Sequence, residues 1–505
     1  MAENFLHGVE VIEIDAGPRP IQTVRSSVIG LIGTAPDAQP EVKATLATGV
    51  VGSNNALTWT SKLTGVLGNN ISVKLVKPSA NSAALAVSVI GQAITVSLAT
   101  SVGGAITTTA TQLKTAIEAN AAANALVGLA NTGASTGAGV VAAVATTFLS
   151  GGVDEAFPLN TPVMIAGSRL EAAKLGATGT LPDAVDSIFD QAGAVIVVVR
   201  VEVGADDAET LANVLGGVNA GTGNYEGVHA FLGAESRLGV VPRILIAPGF
   251  THQRTTTANA VVAELLGIAE RLRAVIIADG PNSTDAAAIT YAGDFGSPRV
   301  FLVDPWVLKV DSDGATVQAP PSPYVAGLIA KSDNERGFWW SPSNQRINGI
   351  VGTVRPVDFT LGDANSRANL LNEAGVATII SQDGFRLWGN RSLSDDIKWV
   401  FLSVRRTADM INESLLRAHL WAVDRNITRT YVEDVTEGVR DYLRYLTKQG
   451  AIIGGDCWAD PDLNTPDQIA QGKVFFDFDF SAAYPAEHIT FRSTLTNDYL
   501  VEVLG

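Results

Sequence analysis

Apolar and polar positions change period along the chain. Between residues 161 and 310, short unbroken apolar runs at 163–166, 194–201, 243–247, 275–278 and 300–303 alternate with helical stretches at 182–191, 257–273 and 285–291. Unbroken runs of this length fit strands covered on both faces. The 257–273 stretch sets Val261, Leu265, Ile268 and Leu272 along one helix face. The alternation predicts a layered, partly parallel sheet built from βαβ units. Near the C-terminus the period becomes two. Residues 474–480 read VFFDFDF, with Phe476, Phe478 and Phe480 on one face and Asp477 and Asp479 on the other. Residues 488–495 alternate as well, with Ile489 and Phe491 on one face, and Pro485 lies in the connection. These two runs predict a half-buried antiparallel hairpin. Between 41 and 150, short strands are expected at 57–61, 71–76, 85–89, 94–98 and 140–149, with a turn at Gly91-Gln92. A helix is expected over 112–123, carrying Leu113, Ala116 and Ile117.

Both ends of the chain are β-prone. Val9, Glu10, Val11, Ile12, Glu13 and Ile14 precede a Gly-Pro-Arg-Pro stretch, and Tyr499, Leu500, Val501, Glu502 and Val503 lie at the opposite end. Terminal strands of this kind either pair within their own sheet or add to the edge of a neighbour's. The pattern alone leaves both open.

Composition narrows the picture. A chain of 505 residues with 46% hydrophobic and 17% charged positions has enough apolar material for several cores. The net charge of −16 argues against direct nucleic-acid binding, which needs clustered Lys and Arg. A single cysteine, Cys457, excludes an internal disulfide framework and a Cys-based zinc site. The first residues lack the basic and apolar regions of a secretory signal. The uncharged stretches 78–113 and 119–153 are interrupted throughout by Ser, Thr, Asn and Gly, so membrane insertion is not expected. Residues 41–150 hold five lysines and two glutamates, a net +3, which leaves −19 on the rest of the chain. The only aromatics there are Trp59 and Phe148, and a shift this sharp marks a module of separate character. Residues 331–505 instead concentrate 20 of the 33 aromatics, so packing or contact energy should gather there.

Candidate chemistry is sparse. Residues 221–227 (GTGNYEG) miss the dinucleotide spacing by one residue and follow no strand, so they read as a glycine-rich connection. Residues 133–137 (GASTG) match a nucleophile-elbow pattern around Ser135, but within a Gly/Ser-rich stretch. Asp311-Ser312-Asp313-Gly314 begins like a calcium loop and reads better as a hairpin turn. Asp456, Asp460, Asp462 and Asp467 sit among prolines and read as a solvated loop. His419 is a lone histidine in a helical run, and Cys457 reads as a small buried side chain. No catalytic residue, cofactor or metal is expected.

Several blocks together resemble the contractile tail sheath family of bacteriophages and related injection machines. They are 7–12 with 28–35, 323–330 running into 333–344 (DNERGFWWSPSN), 372–376 with 384–391 (GFRLWGNR), 404–411, and 472–476 through 489–491. The resemblance implies a multidomain α/β and α+β fold: layered mixed sheets, a small inserted α/β module and terminal strand-exchange arms. Its partition is an N-terminal arm and core strand (1–40), an accessory module (41–155), a middle α/β domain (156–330), a C-terminal assembly core (331–490) and a C-terminal strand arm (491–505). It implies that Val9–Ile14 and Tyr499–Val503 are intersubunit strands. It also implies hexameric rings stacked in a helical polymer around an inner tail tube protein, with baseplate and tail terminator proteins as further partners. The polymer would contract to drive the tube through the host envelope. The place would be the virion tail, assembled in the host bacterial cytoplasm. Arg405, Arg406, Glu413 and Arg417 are candidates for facing the tube, against the alternative of an ordinary amphipathic core helix. The rival functional readings are a nucleotide-dependent α/β enzyme and a surface-layer or adhesin-like protein.

Overall fold

A computed structural model describes residues 21–254 and 257–499. It divides into two compact units, one comprising Met1–Ala35, Leu159–Ala172 and Thr178–Gly505, the other Pro36–Pro158 with Ala173–Ala177.

The first unit is built on an eight-stranded sheet. Its spatial order is Phe385–Trp388, Val376–Ser381, Val300–Val303, Val275–Asp279, Ile244–Ile246, Ile29–Thr34, Val195–Val201 and Val163–Ala166. The six inner strands run parallel, and an antiparallel strand closes each edge. The expected strands of the middle region thus lie where the apolar runs put them. Ile32, Val197, Val199, Leu245, Ile276 and Leu302 enter one core with Val214, Phe231, Val261, Leu265 and Ile268 from the covering helices. Their sequence neighbours Leu31, Ile196, Val198, Ile277 and Phe301 are buried too. Helices Leu181–Phe189 and Ser322–Glu335 pack on each other and on these strands. Burial on both faces is why the strands read as unbroken apolar runs. The sheet draws on sequence from both sides of residue 330, because Val376–Ser381 and Phe385–Trp388 continue it.

In the same unit, helices Leu402–Ala418 and Arg429–Gln449 pack with an antiparallel pair of strands, Ile452–Ala459 and Phe476–Ala482. Here the structure corrects an expectation. The Phe-rich strand pairs backwards with Ile452–Ala459, placing Cys457 opposite Phe478, and does not pair with 488–495. Phe476, Phe478 and Phe480 meet Val439, Leu443 and Leu446 of the long helix. Residues 488–495 form no strand, and Ile489, Phe491 and Leu495 are 67%, 93% and 97% exposed. A period of two gives a strand its faces but does not choose its partner.

The second unit holds two sheets. One orders Thr45–Thr48, Leu57–Ser61 and Val127–Asn131, and the other Ala86–Ile90, Ala93–Ser97, Ser72–Val76 and Val144–Phe148. Gly91 turns Ala86–Ile90 into Ala93–Ser97 at φ 59°, as the Gly91-Gln92 turn requires. The single expected helix is two, Ala110–Ala119 and Ala121–Leu126. Thr109 and Gln112 form a capping box at the start of the first, and the Asn120 side chain accepts from Ala123 N (3.0 Å) to start the second. Trp59 is fully buried at the centre with Leu57, Ile71, Val73, Ile94, Leu113 and Val127.

Candidate assembly site: a clamped helix and the roots of both chain ends

The strand order around Ile29–Thr34 matches the doubly wound pattern in which ligands bind where the chain order reverses, beyond the carboxyl ends of the strands. That crevice lies between the ends of Ile29–Thr34 and Ile244–Ile246, and side chains of the protein fill it. Thr34 N donates to Thr180 Oγ1 (3.1 Å) and Thr180 N donates back to Thr34 Oγ1 (3.3 Å), which seats the helix Leu181–Phe189. A Cβ on Gly33 would stand 2.1 Å from Thr180 Oγ1, so glycine is what permits this plug.

The acids at the neighbouring strand ends are consumed internally. Asp279 is fully buried; its carboxylate accepts from Ser322 N (2.8 Å), Ser322 Oγ (2.9 Å) and Thr251 Oγ1 (3.0 Å). Burial outweighs these bonds and raises its pKa to about 6. Asp304 accepts from Asn282 N (2.8 Å) and pairs with Arg355; burial again raises its pKa, against the pull of Arg355. The folded chain therefore holds the Asp279 proton more tightly than the unfolded chain does. Its contribution is fully present below about pH 4 and is lost as pH rises through about 6. Comparing wild type with Asp279→Asn by denaturant unfolding across pH, the stability difference should move against wild type by about 2 kcal/mol from pH 4 to 6.5 and then flatten. A difference constant across that range would refute the assignment.

The other sequence candidates are structural. Asp311–Gly314 is the turn between Val307–Val310 and Thr316–Ala319, where Asp311 Oδ1 accepts from Asp313 N and Ala315 N. Asp460 accepts from Asp462 N and Leu463 N, and Asp456 pairs with Arg440 (2.6 Å). Residues 221–227 lie in and beside a small hairpin, Gly217–Val218 with Tyr225–Glu226. Ser135 is buried in the turn after Val127–Asn131. His419 caps the end of Leu402–Ala418 with Nδ1 2.7 Å from Leu415 O. Cys457 lies in the core beneath the long helix, where burial pushes its thiol up to about 11. Among the described residues, no group of three His, Cys, Asp or Glu is placed to hold a metal, and no helix is long and apolar enough to cross a membrane.

Charge instead concentrates along the Leu402–Ala418 helix, on its inward side. Asp409 receives both ends of the Arg299 guanidinium (2.7 and 3.1 Å) and one nitrogen of Arg405 (2.8 Å). Arg299 also donates to Ala274 O (3.0 Å), which ties the helix to the loops preceding Val275–Asp279 and Val300–Val303. Glu413 pairs with Arg243 (2.9 Å), Arg273 (3.2 Å) and Arg417 (2.8 Å). Burial pushes the Glu413 carboxyl up, but Arg417 and Arg243 prevail and hold it below the ordinary range. Arg406 is buried against Asp333 (2.8 Å) and donates to Ser26 O (3.2 Å). Arg405 stacks over Trp399, 4.4 Å from the ring centroid.

The four charges read as tube-facing are therefore mostly turned inward. Arg406 and Glu413 are buried and Arg405 is nearly so, each in pairs within the subunit; Arg417 is 40% exposed and also reaches Glu235. Sequence reading missed this network because its ion pairs with other elements span 73 to 182 positions, as Arg406–Asp333 and Arg417–Glu235 do.

The described parts of both chain ends start from the same neighbourhood. Thr23 Oγ1 lies 2.9 Å from Tyr442 OH, and Val24 N donates to Ser414 Oγ (3.1 Å) before the chain enters Ile29–Thr34. Beyond Ala482, Tyr484 packs edge-on against Phe401, and Arg391 holds Glu487 through two nitrogens. Of the expected arm strands, 9–14 and 500–503 lie outside the described residues; Tyr499 is 74% exposed and in no strand.

Comparisons with known proteins decide the family. Three family models match in succession: the tail sheath protein Gp18 domain III N-terminal region over 138–201, the phage tail sheath protein central domain over 223–393, and the phage tail sheath C-terminal domain over 394–496. A prophage major tail sheath protein of Pseudomonas aeruginosa (strain UCBPP-PA14) is 48% identical over 365 residues, 72% of this chain and 93% of its own. The chain belongs to the phage tail sheath protein family. The tail sheath protein of Escherichia phage P2 is 35% identical, over 69% of this chain and 89% of its own. That of Burkholderia phage BcepMu is 31% identical and matches over 100% of both chains. The fold is also that of the anti-feeding prophage helical sheath in the contracted state (TM-score 0.53, 24% identity, 67% of this chain and 89% of that one). The sheath complex of an extracellular contractile injection system, PVC, in the contracted state is similar as well (TM-score 0.52, 20% identity, 68% and 89%). The relatives and family models are structural sheath proteins, so this sheath protein is a structural component of a contractile tail and not an enzyme.

Proposed function

We propose that this sheath protein polymerises through its two chain ends into hexameric rings stacked around an inner tube, and that the polymer contracts by re-packing rigid subunits while the exchanged strands stay paired. The observation that carries the reading is the C-terminal segment. It has the alternation of a strand, yet Ile489, Phe491 and Leu495 find no cover among the described residues. A place to receive such strands exists on each copy. Among the described residues Ile452–Ala459 and Phe476–Ala482 form a two-stranded sheet, so each offers an outer edge to which a further strand could add. The clamped Leu402–Ala418 helix supports movement as a rigid body.

The energy for contraction is then the difference between two packings of the same subunits. Baseplate and terminator proteins would bound the polymer, the tube protein would line it, and assembly would take place in the host cytoplasm before incorporation into the virion. Of the four candidate tube-facing charges, Arg417 has the exposure for that role. The unit Pro36–Pro158 is read as an accessory module on the outer surface. In support, the P. aeruginosa and P2 relatives align over most of their own length while using about 70% of this chain.

Deleting 491–505, or separately 1–14, should abolish striated cylinders in electron microscopy and leave a monomer with unchanged circular dichroism. Normal cylinders from either deletion would refute the assignment of that arm.

A further inference from the structure

The C-terminal segment does not come free where its last strand ends. Phe476–Ala482 finishes five residues before Glu487, and over those five residues the chain is held twice. Tyr484 packs against Phe401, the residue that caps the start of Leu402–Ala418, with ring centroids 6.2 Å apart at 74°. Glu487 then meets Arg391, with Nε 2.8 Å from Oε1 and Nη2 2.5 Å from Oε2, a side-on bidentate pair. From His488 to Asn497 the chain forms no strand or helix, and Ile489, Phe491 and Leu495 stand in solvent. The hydrogen bonds that Arg391 donates to Glu487 strengthen its charged form and raise its pKa.

We infer that Arg391 and Glu487 are the root anchor of the C-terminal arm, a positioning pair that fixes where the chain leaves the subunit and so how far and in which direction it reaches. The inference rests on the reading of 491–505 as an arm. Its physical basis is effective concentration. A tethered strand finds its acceptor best when the tether length matches the span, and slack lowers the local concentration. Releasing Glu487 would add residues 483–487 to the free tether, about 17 Å of extra contour, and would uncouple the arm's direction from the Leu402–Ala418 helix. The N-terminal root is fixed to that same helix through Ser414 and Arg406. One helix thereby sets the spacing of both departure points. The pair is partly exposed, so salt should weaken the anchor.

The test is a charge-reversal cycle in the full-length protein. The readout is the protein concentration at which half the material sediments as polymer, with circular dichroism as the fold control. Arg391→Glu and Glu487→Arg should each raise that concentration by up to about fivefold, the factor a well-formed partly exposed pair supplies. The double reversal should return it to within about twofold of wild type, and Glu487→Gln should fall between. A parallel variant, Phe491→Asp with Leu495→Asp, tests the arm itself. If that variant assembles like wild type, the arm reading fails. If it is defective while the single reversals assemble like wild type, or while the double reversal fails to recover, the arm stands and the anchor is refuted.

Discussion

An Asp409→Ala sheath protein should lose about 3–5 kcal/mol of stability in its larger unit, enough to be visible as an early unfolding transition in urea followed by tryptophan fluorescence. The expectation does not come from the attraction between Asp409 and its partners, since a buried pair gains little over an apolar replacement. It comes from what remains. Arg299 and Arg405 would stay in place, mostly buried and always charged, Arg405 with no carboxylate and Arg299 with only Glu270 (2.9 Å). Asp409→Asn keeps the shape and one acceptor and should lose less. Replacing Arg299 and Asp409 together by Met and Leu should recover part of the loss, because only Arg405, stacked on Trp399, is then left without its carboxylate. A loss below about 0.5 kcal/mol for Asp409→Ala would mean that water reaches the site and that the helix is not clamped by it.

Trp59→Ala should remove about 3–5 kcal/mol from the smaller unit, the cost of emptying a fully enclosed aromatic site, and also the bond from Trp59 Nε1 to Thr48 Oγ1 (3.0 Å). If Pro36–Pro158 is an accessory module, the damage should stop at its borders. Hydrogen exchange should show amides of Leu57–Ser61 and Val127–Asn131 losing protection while those of Ile244–Ile246 keep theirs, and cylinders should still form. Lost protection in both units, or lost assembly, would make the module integral to the sheath subunit.

Legibility in the sequence followed the physics of each element. The parallel strands were readable almost to the residue because two-sided burial writes itself as Val and Ile runs, as in Val195–Val201. Val127–Asn131, with Gly, Ala and Asn among its five residues, has little β-propensity and was invisible beside an alanine-rich helical stretch. The Phe-rich strand was recognised but mispaired, because its real partner, Ile452–Ala459, carries two glycines and no clean alternation. The charges on Leu402–Ala418 could be read either as a surface facing the tube or as part of an ordinary amphipathic core helix. Only their distant partners, Asp333, Arg243 and Arg299, decide between the two. The arms read as β-prone runs, and the expectation that they pair between subunits came from family resemblance; 9–14 and 500–503 lie outside the described residues.

The position of Ile29–Thr34 has a mechanical consequence. The chain enters this strand directly from the N-terminal root, and the strand lies between Val195–Val201 and Ile244–Ile246, parallel to both. A pull arriving from the N-terminal arm would act along the strand axis. The hydrogen bonds to both neighbours would then bear load together in shear, rather than opening one at a time from an edge. Each bond contributes only about 0.5–1.5 kcal/mol net, but sliding the strand requires breaking them in concert and dragging Ile29, Leu31 and Ile32 through a closed core. Resistance to force is set by that barrier and not by equilibrium stability. A subunit pulled from that end would therefore take the load at a fully buried interior strand of its sheet.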